Sequence, residues 1–213
     1  AYAEYCCVPE AYAAIKPSNM THEGAACVPD TACTALHALR DKASIQDGQR
    51  VLIYGASGGV GSYAVQIARL YTSEVTAVCS TSKASTARSL GAKNVIDYTK
   101  EDFTKNAQTY DVIFDAVGRK KTSYSKCKNS LSKNGIFVTT DLQAVFFRRM
   151  WNRRVKSFLA PVTTEKLDFL RDSIEAGKIK SIIDKTYPLS QLADAHKHYE
   201  EGHPKGKIAI TVV

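Results

Sequence analysis

The 213 residues suffice for a full hydrophobic core in one or two domains, and the charged and apolar fractions are those of a globular chain. No apolar run approaches a membrane span and no basic-then-apolar leader opens the chain, though its start at Ala1 leaves a trimmed transit peptide open. The net charge of +8 suits an anionic ligand such as a dinucleotide, and equally a nucleic-acid or membrane surface, so charge alone decides nothing.

Residues 1–8 alternate loosely and predict a strand, and residues 11–17 predict a second one ending at Pro17. Thr21 is placed to cap a short helix running through Ala26, closed by Pro29. A longer helix follows over Thr31–Ala43, with Leu36 and Leu39 on one face. Asp47-Gly48 marks the turn into the next strand. The six cysteines, at 6, 7, 27, 33, 79 and 127, contain no C-x-x-C pair. They predict free thiols, several of them buried, in a reducing compartment.

The strongest signal lies between Val51 and Gly61. The apolar run Val51–Tyr54 predicts a buried strand, and the turn Gly55-Ala56-Ser57-Gly58-Gly59-Val60-Gly61 follows directly. Beyond it Val60, Ala64, Ile67 and Ala68 recur at helical spacing. Strand, glycine turn and helix together present backbone N–H groups and a helix start to a phosphate. Glycine is required because a Cβ would hold the pyrophosphate off the backbone and the helix off the strand.

A parallel α/β rhythm continues from there. Strands are expected at 51–54, 75–79, 94–97, 111–115 and 136–140, with helices at 60–71, 83–90, 102–107 and 122–132. The pattern then changes: Phe146, Phe147, Met150 and Trp151 interleave with Arg148, Arg149, Arg153 and Arg154. A strand near Val155–Leu159 precedes a helix carrying Leu167, Leu170 and Ile174, stopped by Gly177. A strand near Ile179–Tyr187, a helix over 190–200 and a strand over Lys207–Val213 end the chain. The aromatic–arginine stretch reads as a loop packed beside the cleft in preference to a membrane or nucleic-acid patch. No nucleic-acid partner is expected.

The region some 20 residues past the glycines, Cys79-Ser80-Thr81-Ser82-Lys83, has no Asp or Glu to bond ribose hydroxyls. Hydroxyls and Lys83, with Arg88 nearby, suit a 2′-phosphate and predict NADP(H). The rival expectation is that Lys83 is a solvated first-turn residue.

Taken in series, Gly-Ala-Ser-Gly-Gly-Val-Gly61, Ser-Leu-Gly-Ala92, Val-Ile-Asp-Tyr98 and Asp111-Val-Ile-Phe-Asp-Ala-Val-Gly118 resemble the medium-chain dehydrogenase/reductases. The closest branch is that of the zinc-independent, zeta-crystallin-like quinone oxidoreductases. The terminal Gly206-Lys-Ile-Ala-Ile fits the same family. The resemblance covers nearly the whole chain and implies a Rossmann-type sheet with helices on both faces, plus remnants of a GroES-like catalytic domain at both ends. It implies that residues 1–30 are such a remnant, 31–161 the NADP(H)-binding domain, and 162–213 a segment packing back toward the catalytic domain. Roughly a hundred residues of that domain, with most of the substrate pocket, would lie outside the chain.

By resemblance, residues 58–61 would hold the pyrophosphate, and Ser80, Lys83 and Tyr98 would surround the 2′-phosphate. Val117 and Gly118 would lie near the ribose and nicotinamide, and Thr34 would touch the nicotinamide side. A homodimer joined through the edge strand Val155–Leu159 is also implied, with a small quinone, enone or aldehyde as substrate. No catalytic residue is assigned. No metal is expected: the four-cysteine lobe of the zinc-dependent branch is not seen here, and Asp30 aligns with a zinc ligand of that branch whose usual Cys and His partners would lie in the segment outside the chain. His196 and His198 are read as surface residues and His37 as packed or solvated. Tyr124-x-x-x-Lys128 copies a short-chain dehydrogenase pair at the wrong place and is treated as chance. The location expected is cytoplasmic, with an organelle left open.

Overall fold

The computed structural model describes residues 2–118, 122–141, 153–202 and 204–212. Its N-terminal segment forms neither expected strand. It holds only a 3-10 turn, Glu10–Tyr12, and Tyr2, Tyr5, Val8, Tyr12 and Ile15 stay exposed. The alternation is present in the sequence, but among the described residues no neighbouring strand supplies the hydrogen-bond ladder that extended backbone needs. Thr21 does cap α1 (His22–Ala26), its Oγ1 accepting from the Gly24 N–H at 3.2 Å. Pro29 opens a helix instead of closing one. It sits in the first turn of α2 (Pro29–Leu36), where its missing N–H would have had no helical partner. A π-helical turn, His37–Lys42, prolongs α2.

β1 (Val51–Tyr54), α3 (Gly59–Arg69), β2 (Val75–Cys79), α4 (Ala84–Ser89) and β3 (Asn94–Asp97) follow in the expected places. β4 (Tyr110–Asp115), α5 (Tyr124–Cys127), β5 (Leu131–Thr139) and β6 (Val155–Ser157) continue the alternation. Two helices are shorter than expected: a 3-10 turn, Phe103–Lys105, replaces the first, and α5 with a 3-10 turn, Lys128–Ser130, replaces the second. β5 starts early, at Leu131, with an irregularity between Tyr110 and Val112 where it meets β4. Of the aromatic–arginine stretch, residues 146–152 lie outside the described residues. Arg154 donates to the carbonyls of Ser132 (2.7 Å) and Gly135 (2.9 Å).

All six strands run parallel in the order β3-β2-β1-β4-β5-β6. Alternate residues face alternate sides, as the pleat demands. Val51 and Ile53 enter the core under α2, α3 and α4, while Leu52 packs on the other face with Val78, Ile113 and Cys127. The chain leaves β1 toward β2 on one side and later returns to β4 on the other. Such a reversal opens a crevice beyond the strands' carboxyl ends.

After β6 come α6 (Thr164–Glu175), β7 (Ile183–Pro188), α7 (Leu192–Glu200) and β8 (Lys207–Thr211). β7 and β8 pair in parallel as a separate two-stranded sheet. Polar side chains on α3 fasten this part to the first sheet. The Gln66 amide accepts from the Lys180 N–H (2.8 Å) and donates to its carbonyl (3.0 Å). The Tyr63 hydroxyl meets that of Ser181 at 2.6 Å, and Ser181 donates to Gly24 at 2.7 Å. No buried side-chain nitrogen or oxygen among the described residues lacks a partner.

Four of the six cysteines, 27, 33, 79 and 127, are buried and free, and Cys6 and Cys7 are exposed. Burial pushes the Cys33 thiol up to about 11. Its neutral form is favoured by folding, so the stability it adds is complete below the ordinary thiol pKa and is lost as pH rises toward 11. Melting temperatures should therefore fall between pH 8.5 and 10.5, by an amount corresponding to roughly 2 kcal/mol from Cys33. Cys33→Ala should melt lower at pH 8 but lose less on going to pH 10.5. An unchanged alkaline drop would show that this thiol does not contribute.

Candidate functional site

The crevice is built from the ends of β1 and β4. Gly55 leaves β1 with φ +79°, and a Cβ there would lie 2.3 Å from Val117 Cγ2. The turn after β1 and the loop after β4 are thus in contact. At Gly61, in the first turn of α3, a Cβ would stand 2.0 Å from the Gly55 carbonyl oxygen and 2.8 Å from Ala56 Cα. Only a hydrogen lets α3 start so close to the end of β1. Gly58 is the N-cap of α3, and no side chain caps the helix. The N–H groups of the first turn, with the helix dipole behind them, therefore face the crevice. A Cβ on Gly58 would meet nothing nearer than the Gly55 oxygen at 3.5 Å. The turn is thus open at Gly58 and closed at Gly61. Ala56 is buried, while Ser57 and Val60 are partly exposed at the same turn.

Three neighbours reach this turn from other parts of the chain. The C-terminal segment crosses it: the Gly206 N–H donates to Ser57 at 3.2 Å, and Gly58 and Gly206 form an isolated parallel bridge. Gly206 has φ +96°, and a Cβ there would lie 2.1 Å from the Ile182 oxygen. Lys207 Cδ lies 2.9 Å from where a Gly59 Cβ would be, which lays this side chain across the helix start. The third is Asp115 at the end of β4. Its Oδ1 accepts from the N–H groups of Val117 and Gly118, both at 3.1 Å, and its Oδ2 from Thr139 at 3.2 Å. Burial raises its pKa, against the pull of those donors. Asp115 fixes the loop holding Val117, which is exposed, and Gly118, which is buried with φ +64°.

On the α2 side, the residue nearest the turn is Thr31, its methyl 3.5 Å from a Gly59 Cβ. Thr31 Oγ1 is occupied, donating to the Cys27 carbonyl at 2.8 Å. Thr34 lies about one turn further along α2 and is partly exposed.

The far end of the crevice corrects one expectation. β2 itself ends without a carboxylate, but β3 sets Asp97 directly opposite Cys79. Asp97 accepts from the Thr81 hydroxyl and from the N–H (2.9 Å) and hydroxyl (2.7 Å) of Thr99. Those hydroxyls, Thr81 first, hold its pKa down at about 2. The surroundings of Ser80 and Thr81 are therefore not free of acid. Lys83 is not solvated either: it is 7% exposed, and its ammonium donates to Pro204 at 3.1 Å. Burial lowers its pKa. Tyr98 is 47% exposed and lines a cleft of about 420 Å3 with Tyr54, Phe103, Thr122 and Lys126. Arg88 is exposed on α4.

The remaining histidines and the tyrosine–lysine pair stand apart. His37 bonds Asp41 at 2.7 Å and packs edge-on to Phe158, and His198 bonds Asp184 at 2.7 Å. Tyr124 packs edge-on to Phe137, and Lys128 is exposed. Asp30 is exposed, and no three or more His, Cys, Asp or Glu side chains among the described residues are grouped to hold a metal.

Comparison with known proteins agrees with this geometry. A family profile described as zinc-binding dehydrogenase matches residues 90–210. The chain is 32% identical, over 93% of its length and 58% of the relative's, to the mitochondrial NAD(P)H oxidoreductase RTN4IP1 of Bos taurus. It is 34% identical, over 98% of its length and 52% of the relative's, to the chloroplastic NADPH-dependent alkenal/one oxidoreductase of Arabidopsis thaliana. Its fold matches the quinone oxidoreductase of Coxiella burnetii with a TM-score of 0.80, at 29% identity, covering 89% of this chain and 60% of that one. The chain thus spans little more than half the length of these relatives.

Gly61→Ala tests the packing described above. The added methyl meets backbone, so it should cost about 1–3 kcal/mol and lower the melting temperature by several degrees. Gly58→Ala, in open space, should leave the melting temperature within a degree of the parent. Equal melting of all three proteins would contradict the close approach of α3 to β1.

Proposed function

This chain belongs to the zinc-binding dehydrogenase family, and we propose that it binds NADPH as the coenzyme part of an oxidoreductase acting on quinones or α,β-unsaturated carbonyls. The observation that carries the reading is the glycine turn, closed at Gly61 and open at an uncapped helix start. When bound, the nicotinamide supplies a hydride to an electron-poor carbon. The chain's own residues bind and orient. First-turn N–H groups of Gly59 and Val60 receive the diphosphate, and Lys207, laid across Gly59, adds a positive charge. Asp115 holds Val117 and Gly118 where they border the ribose and nicotinamide, with Thr34 on the opposite side. Ser80, Lys83 and Tyr98 receive the adenosine end.

Choosing NADPH over NADH rests on Lys83, and Asp97 opposes it. Asp97 is already engaged by Thr81 and Thr99, with Lys100 at 3.8 Å, so much of its charge is compensated. Lys83 can add the 2′-phosphate to, or exchange it for, its carbonyl partner Pro204. The names of the two curated relatives support a nicotinamide nucleotide, and one of them specifies NADPH. We also assign β6, the last strand in the sheet order, with Leu159 beyond it at 78% exposure, as the contact of a homodimer. No described helix is long and apolar enough to cross a membrane. The relatives' mitochondrial and chloroplastic names keep an organelle beside the cytoplasm as the place of action.

Titration with each nucleotide, followed by tryptophan fluorescence and melting temperature, tests the reading. Binding of neither nucleotide by the folded protein would remove it. Gly58→Ala should weaken NADPH and NADH alike by about tenfold or more, since its methyl stands where the diphosphate must approach. Lys83→Glu should weaken NADPH by at least about tenfold, one charge-assisted contact, while NADH changes little. Equal loss for both would take the 2′-phosphate away from Lys83. Turnover of NADPH with a quinone or enone panel supports the reductase. Binding without turnover makes the chain a coenzyme-binding module.

A further inference from the structure

β7 and β8 do not pair evenly. Ile183 stands opposite Lys207 and Lys185 opposite Ile208, so Asp184 is the extra residue on β7. A bulge of this kind interrupts the alternation of side chains and re-aims the residue it inserts. The Asp184 carboxylate bonds the His198 ring on α7 at 2.7 Å, and it accepts the N–H of Lys205 in the connection from α7 to β8. Burial pushes its pKa up, but those two partners outweigh burial and leave it below the usual carboxylate value.

The connection that Asp184 holds is the part of the second sheet that reaches the coenzyme crevice. Pro204 receives the Lys83 ammonium at 3.1 Å, the Gly206 N–H donates to Ser57 at 3.2 Å, and Lys207 lies across Gly59. Pro204 and Lys205 belong to no helix or strand, so no ladder fixes them. Their position depends on bonds made at either side. Two of these come from the start of β7: Ile182 accepts the Lys207 N–H at 2.8 Å, and Asp184 accepts that of Lys205. Burial also disfavours the Lys83 ammonium, and the Asp184 charge counters it. We propose that Asp184 is a positioning residue for the coenzyme, acting through residues 204–207 and resting on the coenzyme reading given above. It touches no nucleotide atom itself. It holds the connection where Lys207 meets the diphosphate, and without that bond the connection and Lys207 move off the glycine turn together.

Dissociation constants for NADPH and NADH are measured on the whole chain for the parent, Asp184→Ala, Asp184→Asn, Lys207→Ala and the Asp184→Ala/Lys207→Ala double variant. Alanine and asparagine remove the same charge, but only asparagine keeps an oxygen for the Lys205 N–H. Asp184→Ala should weaken both nucleotides by at least about tenfold, and Asp184→Asn should recover all but about threefold of that loss. In the Lys207→Ala background the further loss from Asp184→Ala should shrink to about threefold or less, because both changes remove one contact. Without nucleotide, Asp184→Ala should speed hydrogen exchange at the Gly206 amide by at least about tenfold, read by NMR. Where Asp184→Ala melts too low to titrate, His198→Ala, which removes one of the two partners, replaces it in the same cycle with an expected loss of about threefold. Parent-like affinity in Asp184→Ala, equal losses for alanine and asparagine, or fully additive losses with Lys207→Ala would overturn the role of Asp184 alone. A folded parent that binds neither nucleotide would remove the coenzyme reading and this role with it.

Discussion

The start of α3 rests on the end of β1 with no atom to spare, because Gly61 faces the carbonyl of Gly55. This one approach determines where the first helical turn points. It aims uncapped N–H groups at the crevice beyond the sheet, and it brings Gly55 under Val117 from β4. Everything the crevice can do with an anion follows from that aim. A charged side chain could supply attraction, but only backbone held this tightly supplies a fixed array of donors.

α3 also serves as the anchor for the other half of the structure. Tyr63 and Gln66 point from its buried face into the segment leading to β7, and each polar atom finds a partner there. A half-satisfied buried amide would cost stability, so the two-sided bond of Gln66 to Lys180 specifies one docking position. From that position Gly206 leads into β8, its missing side chain letting Ile182 close in while its N–H bonds the Ser57 carbonyl. Lys207 arrives across Gly59 as a consequence. The glycine turn is thus shared between two sheets and does not belong to the first alone.

Where β2 and β3 end, the balance of charge is finer. A buried ammonium follows β2 and a partly buried carboxylate closes β3, each already engaged: Lys83 by Pro204, Asp97 by two threonines. If the coenzyme binds as proposed, its selection there is a competition between existing hydrogen bonds and a new phosphate, and not a simple meeting of opposite charges.

The sequence by itself determined the glycine turn, the six parallel strands and most of the helices between them. Their signals are local: residue periodicity, turn residues and a strand–turn–helix junction within a dozen positions. The same local reasoning failed at residues 1–17, where alternation without a partner strand makes no strand, and at Pro29, which opens α2. Tertiary structure alone decided the surroundings of the site. Asp97 enters through register with β2, Lys207 and Gly206 through the docking of β8, and Lys83 turns to a carbonyl from the last connection. Asp115 was in plain view within a quoted motif, yet its bonds to the Val117 and Gly118 amides appear only once β4 ends and its loop folds back. Contacts between residues so distant along the chain leave no periodic trace, because they depend on where whole elements pack.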